Sequence, residues 1–480
     1  MRCEQLKLPP EIVELICKKR RARRKMTATR FDEDKNEYNR INKLVQKRIN
    51  HYRNERFENF LSNLGAREVD DYSLWKATKF LKRPHELSLP IKDSDGKWAK
   101  NADDKAVVLA SHLEQVFKPN KLNNDEEPED EVREIDYSDI RFLPDKKINK
   151  ISHDEIFNEI KYKTKLRKAP GFDLISGIIV KQLPAIVIKK LVTIFNAVIR
   201  LKYVPLQWKK AEIIVILKSG KPASDPASYR PISLLPVLGK IFEKLYIKRL
   251  LKIVNKKNLI INEQFGFRAK HSTIEQLHRM TSFVMKALER GHFCNGVFLD
   301  FTQAFDRVNH QRLVEKLAKV LPGNHTKLLA SYLADRQFRV RFEDAYSEFK
   351  PIRAGVPQGS VLSPLLYSLF TADIPNPQGN SELGVFADDT SVFASAPTYE
   401  ETVDLLQTSL DDIQEWTDAD GSKLNPNKSE NVVFTLRNFV HIPLVLNGQP
   451  IPQSKAARYL GLIMDSKLNF GEHIIRKRNK

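Results

Sequence analysis

The amino-acid sequence predicts an α+β fold. From Ile151 onward, amphipathic helical segments alternate irregularly with short apolar, β-branched segments, and few of them follow the β-α-β order of a parallel sheet. Hydrophobic residues make up 41% of the chain, which is enough for a substantial buried core. A length of 480 residues predicts two or three domains.

The charge balance indicates a polyanionic partner. The chain contains 80 Lys and Arg against 60 Asp and Glu, a formal charge of +20, and nucleic acid is the commonest polyanion. Cys3, Cys17 and Cys294 are too few and too scattered for a disulfide framework or a four-ligand zinc site. No segment has a signal-peptide pattern or the length of about 18 apolar residues that a membrane helix needs. We therefore expect an intracellular protein without a membrane partner.

The first segment, residues 1–122, is basic and is predicted to be mainly helical. Its run KKRRARRK, Lys18 to Lys25, has cations at seven of eight positions. Such a run is either a solvated helix face or a contact for nucleic acid or nuclear import. Residues 123–145 are predicted to form an acidic linker, because this composition cannot bury enough apolar surface to order itself.

Capping residues and apolar spacing predict helices in the rest of the chain. Ser152 with Glu155, and Thr273 with Gln276, have the spacing of capping boxes that begin helices. Apolar residues at helical spacing predict another helix over about 185–200.

Three segments are predicted to be strands: the apolar runs Ala211–Leu217 and Gly296–Asp300, and Arg336–Phe342, in which basic and apolar residues alternate. In the third, alternation would place Arg339 and Arg341 on one face, either as an ordinary solvent face or as a contact to a nucleic-acid backbone.

Three carboxylates interrupt the apolar pattern. Asp300 ends one predicted strand, and Asp388 with Asp389 lies at the centre of GVFADDTSVF, a predicted hairpin. A surface turn would accommodate the acidic pair. If the two strands are neighbours, however, the clustered charges repel one another unless a cation shares them. Mg²⁺ suits such oxygen ligands, and two ions about 3.5–4 Å apart can stabilise an in-line phosphoryl transfer.

At this point three motifs in order resemble the A, B and C motifs of reverse transcriptases, with non-LTR retrotransposons of the jockey-like, LINE-type class as the nearest match. They are FLDFTQAFDRVNH (298–310), AGVPQGSVLSPLLY (354–367) and FADDTSVFA (386–394). The supporting blocks are KAPGFD, WKKAEIIVILKSGK, SYRPISLL, EQFGFRAKHST, LNPNKSE and RYLGLIMDSKLNF. The resemblance covers about Ile151 to His473. It implies a right-hand polymerase fold whose fingers and palm span 146–473, with core motifs over 200–468, an antiparallel palm sheet and a basic helical segment before it.

The resemblance also implies roles for the acidic and aromatic residues. Asp300 and Asp388 would be the principal ligands of two Mg²⁺ ions, with Mn²⁺ as an alternative ion, and Asp389 would be a less direct ligand. Phe305 matches the position that selects deoxynucleotides, since an aromatic ring there leaves no room for a 2′-hydroxyl. Asp306 competes with Asp300 for the metal role, but we expect it to start the following helix, where a carboxylate suits the helix dipole.

Lys218 and Arg230 match the fingers residues that neutralise the nucleotide triphosphate, a task for which guanidinium geometry is well suited. Lys209, Lys210 and Lys221 lie near them in the sequence and are the alternatives.

The resemblance further implies that Gln358 and Gly359 lie against the incoming nucleotide and template. A turn before a helix is the alternative explanation for this Pro-Gln-Gly-Ser segment. Lys428 matches the motif D lysine, a candidate proton donor to pyrophosphate, and a solvated surface lysine is the alternative.

The implied function is that of an RNA-directed DNA polymerase, a nucleotidyltransferase that adds dNTPs to a primer 3′-hydroxyl during target-primed retrotransposition. Its partners would be an RNA template, a DNA primer or target DNA, and dNTPs, and it would act in the nucleus during integration while the element RNA is in the cytoplasm. A catalytically silent nucleic-acid-binding copy is the main alternative, and a maturase-like or telomerase-like enzyme is a third. Because no endonuclease block precedes Ile151 and no thumb follows YLGLIMDSKL, we expect a fragment or truncated copy.

Overall fold

The computed structural model describes residues 9–29, 31–62, 89–120, 138–166 and 168–478. The chain divides into two units, Met1–Ser88 and Leu89–Lys480, and we describe each by itself. Residues 121–137, which hold most of the predicted acidic linker, lie outside the described part, and the predicted domain limits stay a prediction.

The first unit contains two helices packed against each other, α1 (Pro10–Thr29) and α2 (Asp32–Ser62). Asp34 in the first turn of α2 joins them, because it accepts a hydrogen bond from the Thr29 hydroxyl at 2.6 Å and pairs with Lys25 at 2.9 Å. Ile12 and Val45 are buried, while the cationic run on α1 is mostly exposed.

The described helices of the second unit include the one predicted over 185–200. They are α3 (Ala102–Val116), α4 (His153–Asn158), α5 (Gly177–Lys181), α6 (Ala185–Leu201), α7 (Leu206–Lys209), α8 (Val237–Lys256), α9 (Thr273–Glu289), α10 (His310–Val320), α11 (Gly323–Leu333), α12 (Ser363–Phe370), α13 (Tyr399–Asp420) and α14 (Gly471–Arg478). Within the part of the chain that the structure describes, no helix combines the length and apolarity needed to cross a bilayer.

One of the two predicted capping boxes is correct. The Ser152 hydroxyl accepts from the Glu155 backbone N–H at 3.2 Å, and the Glu155 carboxylate accepts from the Ser152 N–H at 3.0 Å. The predicted cap at Thr273 is wrong by one residue. Ser272 has extended backbone and accepts from the Glu275 N–H at 3.3 Å, so Thr273 is already the first helical residue.

The described strands form two larger sheets and several hairpins. They are β1 (Ile91–Lys92), β2 (Trp98–Ala99), β3 (Lys210–Leu217), β4 (Tyr229–Leu234), β5 (Phe293–Leu299), β6 (Arg336–Phe342), β7 (Ala345–Tyr346), β8 (Lys350–Ile352), β9 (Ser381–Phe386), β10 (Asp389–Ala396), β11 (Glu430–Phe434), β12 (Val445–Leu446), β13 (Gln449–Pro450), β14 (Ala456–Tyr459) and β15 (Leu462–Asp465). All three predicted strands are present.

The central sheet is antiparallel, with strand order β11-β5-β10-β9. Helix α13 packs on β5 and β10, and α9 packs on the same sheet. Every residue of β5 is buried, which explains why apolar side chains occupy both of its faces, because a strand covered on both faces needs no polar alternation. Gly296 is required where a Cβ atom would stand 2.7 Å from the Phe393 ring. This antiparallel sheet between helices agrees with the predicted α+β class.

The second sheet has the order β4-β3-β6-β7, with β8 also paired to β6, and β3 runs parallel to β6. Helix α3 packs on β6. Arg339 and Arg341 share one face of β6, as predicted. Both pair with the buried carboxylate of Glu212, at 2.9 and 2.7 Å, so part of their charge is neutralised within the sheet.

The loop before α12 is held by a buried carboxylate on α8. Glu243, only 3% exposed, accepts hydrogen bonds from the Ser360 hydroxyl at 2.6 Å and from the Val361 and Leu362 backbone N–H groups at 2.7 and 3.3 Å. Tyr332 donates to the same Ser360 hydroxyl at 2.7 Å. Glu243 therefore joins α8 to the beginning of α12.

Replacing Glu243 should destabilise the fold through these donors. Glu243→Leu leaves buried donors without an acceptor, and we expect the free energy of unfolding to fall by about 3 kcal/mol. Chemical denaturation measures this change. Glu243→Gln keeps one carbonyl oxygen at the same position, so its free energy of unfolding should fall clearly less. An equal fall in the two variants would contradict the role assigned to the oxygen.

Candidate active site at the carboxylate edge of the central sheet

Asp300 lies directly after β5, at the edge of the central sheet. Its backbone N–H donates to the Ser429 hydroxyl at 3.2 Å, and its carbonyl accepts from the Asn425 N–H at 2.9 Å. These bonds fix the end of β5 to the loop before β11. Burial raises the pKa of Asp300, and the positive charges of Lys428 and Lys218 oppose that shift.

The acidic pair lies at the tip of the β9–β10 hairpin, as the sequence predicted. Asp389 pairs with Phe386, so Ala387 and Asp388 form a two-residue turn. Thr390 is opposite Leu299 in the β5–β10 register, and Asp389 and Asp300 are the residues next to this pair on the two chains. The two strands are neighbours, and the three carboxylates therefore meet at one edge of the sheet.

The carboxylates act on one another electrostatically. Burial and the negative charge of Asp300 raise the pKa of Asp388, while Arg230 lowers it. Burial and the charges of Asp388 and Asp300 raise the pKa of Asp389 to about 6. Both side chains reach solvent, so this edge of the sheet is an accessible anionic site that favours protons or cations.

The oxygen donors suit a hard divalent cation, but they do not form a complete coordination shell. In the described ranges, no group of three or more His, Cys, Asp or Glu side chains could hold a metal ion. Mg²⁺ usually binds through one or two carboxylates and completes its shell with water and substrate phosphates. The donor set at Asp300 and Asp388 fits that mode of binding.

Asp306 does not start the following helix, so that expectation is wrong. Helix α10 begins at His310 after the cap Asn309, and Asp306 lies in the preceding turn, only 7% exposed. Its two carboxylate oxygens accept from the Gln358 side-chain amide at 2.9 and 3.0 Å. Burial raises the pKa of Asp306 to about 7, against the lowering effect of the Gln358 hydrogen bonds.

The loop around Gln358 packs closely on its neighbours through two glycines. Gly355 has φ +90°, and a Cβ atom there would stand 2.5 Å from the Asp306 carbonyl oxygen; Gly359 has φ +130°, and its Cβ would stand 2.5 Å from the Ser233 carbonyl oxygen. The Ser233 N–H also donates to the Gln358 carbonyl at 2.9 Å. The loop thus lies between β4 and the turn that contains Asp306.

Phe305 is held in a fixed orientation beside this loop. Its ring stacks on Tyr367 with a centroid distance of 4.3 Å and an interplanar angle of 19°. Its carbonyl accepts from the Val356 N–H at 2.8 Å. Its side chain is partly exposed, which leaves part of the ring free to contact a ligand.

The predicted cations lie around the carboxylates. Lys428 Nζ is 3.8 Å from the Asp300 carboxylate. The Lys218 ammonium donates to the Ala227 carbonyl at 2.8 Å, and burial together with the charges of Arg230 and Lys428 lowers its pKa. Arg230, opposite Ile216 on the paired strand, is near enough to lower the pKa of Asp388.

The alternative lysines divide into two groups. Lys209 is buried and faces Asp335 at 3.6 Å, and Lys210 lies over the Phe349 ring at 5.0 Å, so both side chains are engaged elsewhere. Lys221 is exposed, and its charge acts on Lys218.

Sequence reasoning assigned no role to two residues that support this site, Glu243 and Gln264. Glu243 is a charged residue between the buried side chains Phe242 and Leu245 on an apolar helix face. A charge at such a position is the sequence feature that could have indicated its supporting role. Gln264 lies in the quoted block EQFGFRAKHST and accepts a hydrogen bond from the Ala387 N–H at 2.9 Å.

The raised pKa of Asp306 predicts a pH-dependent stability. The folded-state pKa of about 7 exceeds the unfolded value of about 3.9, so the ionised form is destabilising. The contribution of Asp306 is fully present below the unfolded pKa and is lost as the pH rises through the folded one. Asp306→Asn cannot ionise and so removes that loss. Between about pH 5 and pH 8, the free energy of unfolding of this variant should rise by about 2 kcal/mol relative to that of the wild type.

Denaturation of both proteins across this pH range measures the difference. Asp103→Asn, at an exposed position on α3, is the matched control and should run parallel to the wild type. A difference between Asp306→Asn and the wild type that stays constant with pH would contradict the raised pKa.

A family model matches the part of the chain in which this site lies. The family model described as reverse transcriptase (RNA-dependent DNA polymerase) matches residues 216–464. This range contains Asp300, Asp306, Asp388 and Asp389 together with Lys218, Arg230 and Lys428, whereas Lys209 and Lys210 lie before it.

Named relatives extend the similarity over nearly the whole chain. The chain is 38% identical to the probable RNA-directed DNA polymerases from transposon X-element, over 98% of this chain, and from transposon BS, over 97%, both of Drosophila melanogaster. It is 36% identical to the RNA-directed DNA polymerase from mobile element jockey of Drosophila funebris, and this match covers 98% of the present chain. In each case it covers 52% of the relative, so the chain spans about half the length of the curated relatives it matches.

The motifs predicted a polymerase palm, the antiparallel sheet brings the motif carboxylates together, and the family model covers that sheet and the cations facing it. This chain belongs to the reverse transcriptase (RNA-dependent DNA polymerase) family.

Proposed function

We propose that this chain is the RNA-directed DNA polymerase of a non-LTR mobile element, joining a primer 3′-hydroxyl to the α-phosphate of a dNTP with release of pyrophosphate. The observation that carries the proposal is the meeting of Asp300 with Asp388 at one sheet edge, opposite Arg230 and Lys218. An anionic centre beside cations suits a metal-assisted transfer of a charged phosphoryl group. The names of the relatives support the same chemistry.

Asp300 and Asp388 are the proposed ligands of two Mg²⁺ ions, for which Mn²⁺ can substitute, and Asp389 adds negative charge beside them. A bound divalent ion would supply positive charge that stabilises the attacking and leaving oxygens. The protein's own part is to hold these carboxylates on the rigid ends of β5 and the β9–β10 hairpin. Their raised pKa values indicate that each gains from a nearby cation.

The cations have separate tasks in this proposal. Arg230 and Lys218 bind the triphosphate, Arg230 through its planar guanidinium. Lys428 is exposed and 3.8 Å from Asp300, so its ammonium can deliver a proton to the departing pyrophosphate. Gln358 and Gly359 lie in the loop that would face the incoming nucleotide and template.

Phe305 is the proposed sugar selector. Stacking on Tyr367 prevents the ring from turning aside, so it can exclude a 2′-hydroxyl sterically. The exclusion depends on the volume of the Phe305 ring and not on a hydrogen bond, whereas the polar residues nearby would act through hydrogen bonds.

The partners in this proposal are an RNA template and a DNA primer or target DNA. In the first unit, Arg20, Arg23 and Arg24 line an open groove on α1, which supports a contact to a nucleic-acid backbone. We further propose nuclear action during integration, with the element RNA in the cytoplasm. The basic run on α1 would be the import signal.

Loss of one carboxylate should abolish polymerisation without loss of substrate binding. Asp388→Asn keeps the shape of the side chain and removes its charge, and we expect Mg²⁺-dependent dNTP incorporation on a primed RNA template to fall by about 100-fold or more. Binding of the template–primer without metal should persist.

Asp103→Asn is the control and should retain wild-type incorporation. Equal incorporation by the wild type and Asp388→Asn would refute the assignment of Asp388. No incorporation by the wild type, with template binding retained, would refute the proposed polymerase and favour the silent binder.

Shortening Phe305 should relax the choice of sugar. Phe305→Ala opens space beside the sugar, and we expect the preference for dNTP over rNTP, as a ratio of kcat/KM values, to fall by about 10-fold or more. Phe305→Tyr keeps the ring and should keep the preference. An unchanged ratio in Phe305→Ala would show that another group excludes the 2′-hydroxyl.

A further inference from the structure

A buried amide supports the hairpin turn that carries Asp388. Gln264 is 1% exposed, and its side-chain oxygen accepts two backbone hydrogen bonds, from the Gly266 N–H at 2.7 Å and from the Ala387 N–H at 2.9 Å. The second bond joins residues 123 positions apart in the sequence. It ends on the residue directly before the proposed metal ligand.

The turn depends on support of this kind because its backbone is strained. Ala387 has φ +58°, in the left-handed region that costs free energy for a residue with a Cβ atom. Ala387 is also buried, at 7% exposure, so its N–H group has little access to solvent. The Gln264 oxygen supplies the acceptor that this N–H group would otherwise lack.

The segment around Gln264 packs against the same hairpin through its backbone. The Phe265 N–H donates to the Val385 carbonyl at 2.9 Å, and the Val385 N–H donates to the Glu263 carbonyl at 3.1 Å. At Gly266, a Cβ atom would stand 2.2 Å from the Ala387 nitrogen. The turn and this segment are therefore packed as one body.

We propose that Gln264 is a positioning residue that fixes the Ala387–Asp388 turn so that the Asp388 carboxylate faces Asp300. The expected effect on kcat rests on the proposed function. The expected support of the turn rests on the geometry alone. The oxygen is the atom that acts: within the described structure, the side-chain nitrogen of Gln264 is buried and makes no hydrogen bond. A side chain of similar size with an acceptor oxygen should preserve the turn, and one without it should not.

Two variants separate the oxygen from the volume of the side chain. Gln264→Met fills similar space without an acceptor, and Gln264→Glu keeps an oxygen at the same reach. Gln414→Met is the matched control, because the Gln414 oxygen also accepts a backbone N–H, from Asn447 at 2.7 Å, but Gln414 lies on α13 and does not bond to the β9–β10 turn.

The first measurement is hydrogen exchange of the metal-free full chain. In Gln264→Met, we expect the Ala387 amide to exchange about 10-fold faster or more, because its buried acceptor is gone. Gln264→Glu and Gln414→Met should keep wild-type protection there. Unchanged protection of Ala387 in Gln264→Met would overturn the proposal.

The second measurement is steady-state incorporation on a primed RNA template. Gln264→Met should lower kcat by about 10-fold while KM for the template–primer stays constant, since a misplaced carboxylate affects the chemical step and not binding. Gln264→Glu should restore kcat. A change confined to KM, or an equal fall in Gln414→Met, would refute the positioning role.

The two measurements distinguish the two hypotheses. If the wild type incorporates no dNTP but the Ala387 amide is deprotected only in Gln264→Met, the proposed function fails and the support of the turn stands. If the wild type is active and Ala387 exchanges equally in all variants, the polymerase stands and the positioning role fails.

Discussion

The antiparallel pairing of β5 with β10 is the constraint on which the site depends. Its register sets Thr390 opposite Leu299, and through that single alignment the end of one strand meets the turn of a hairpin about 90 residues further along the chain. Helices cover both faces of these strands, so the strand pairing lies in the core, and the carboxylates lie at the solvent-accessible edge of the sheet. A slip of one residue would exchange the side chains that pack on the two covered faces and would separate the acids.

Gathering like charges at that edge requires support from the surrounding backbone. The turn before Asp388 is strained at Ala387, and the amide of Gln264 stabilises it. The neighbouring loop is held from α8 by Glu243, whose carboxylate accepts two backbone N–H groups at the start of α12. In both places a buried side-chain oxygen accepts hydrogen bonds from backbone N–H groups that have no acceptor in a helix or strand. The chemistry proposed for this family member would therefore depend on polar residues that never touch substrate.

Burial decided the points on which sequence reasoning was incomplete or wrong. Asp306 has the residue type and spacing of a helix-start carboxylate, yet the turn buries it against Gln358 and raises its pKa. Arg339 and Arg341 fit either a solvent face or a nucleic-acid contact, and Glu212 on the parallel strand β3 engages both. A period of two in a strand predicts which side chains share a face, but not what the adjacent strand places beside them.

The sequence by itself determined the α+β class, the presence of strands β3, β5 and β6, and the likeness of its motifs to reverse transcriptases, because periodicity, turn residues and motifs are local signals. It also indicated that Asp300, Asp388 and Asp389 would share a cation if their strands were neighbours. Only the tertiary structure decided that they are neighbours, and only it revealed the support from Gln264. Contacts across 123 residues depend on register and packing, which no local pattern encodes.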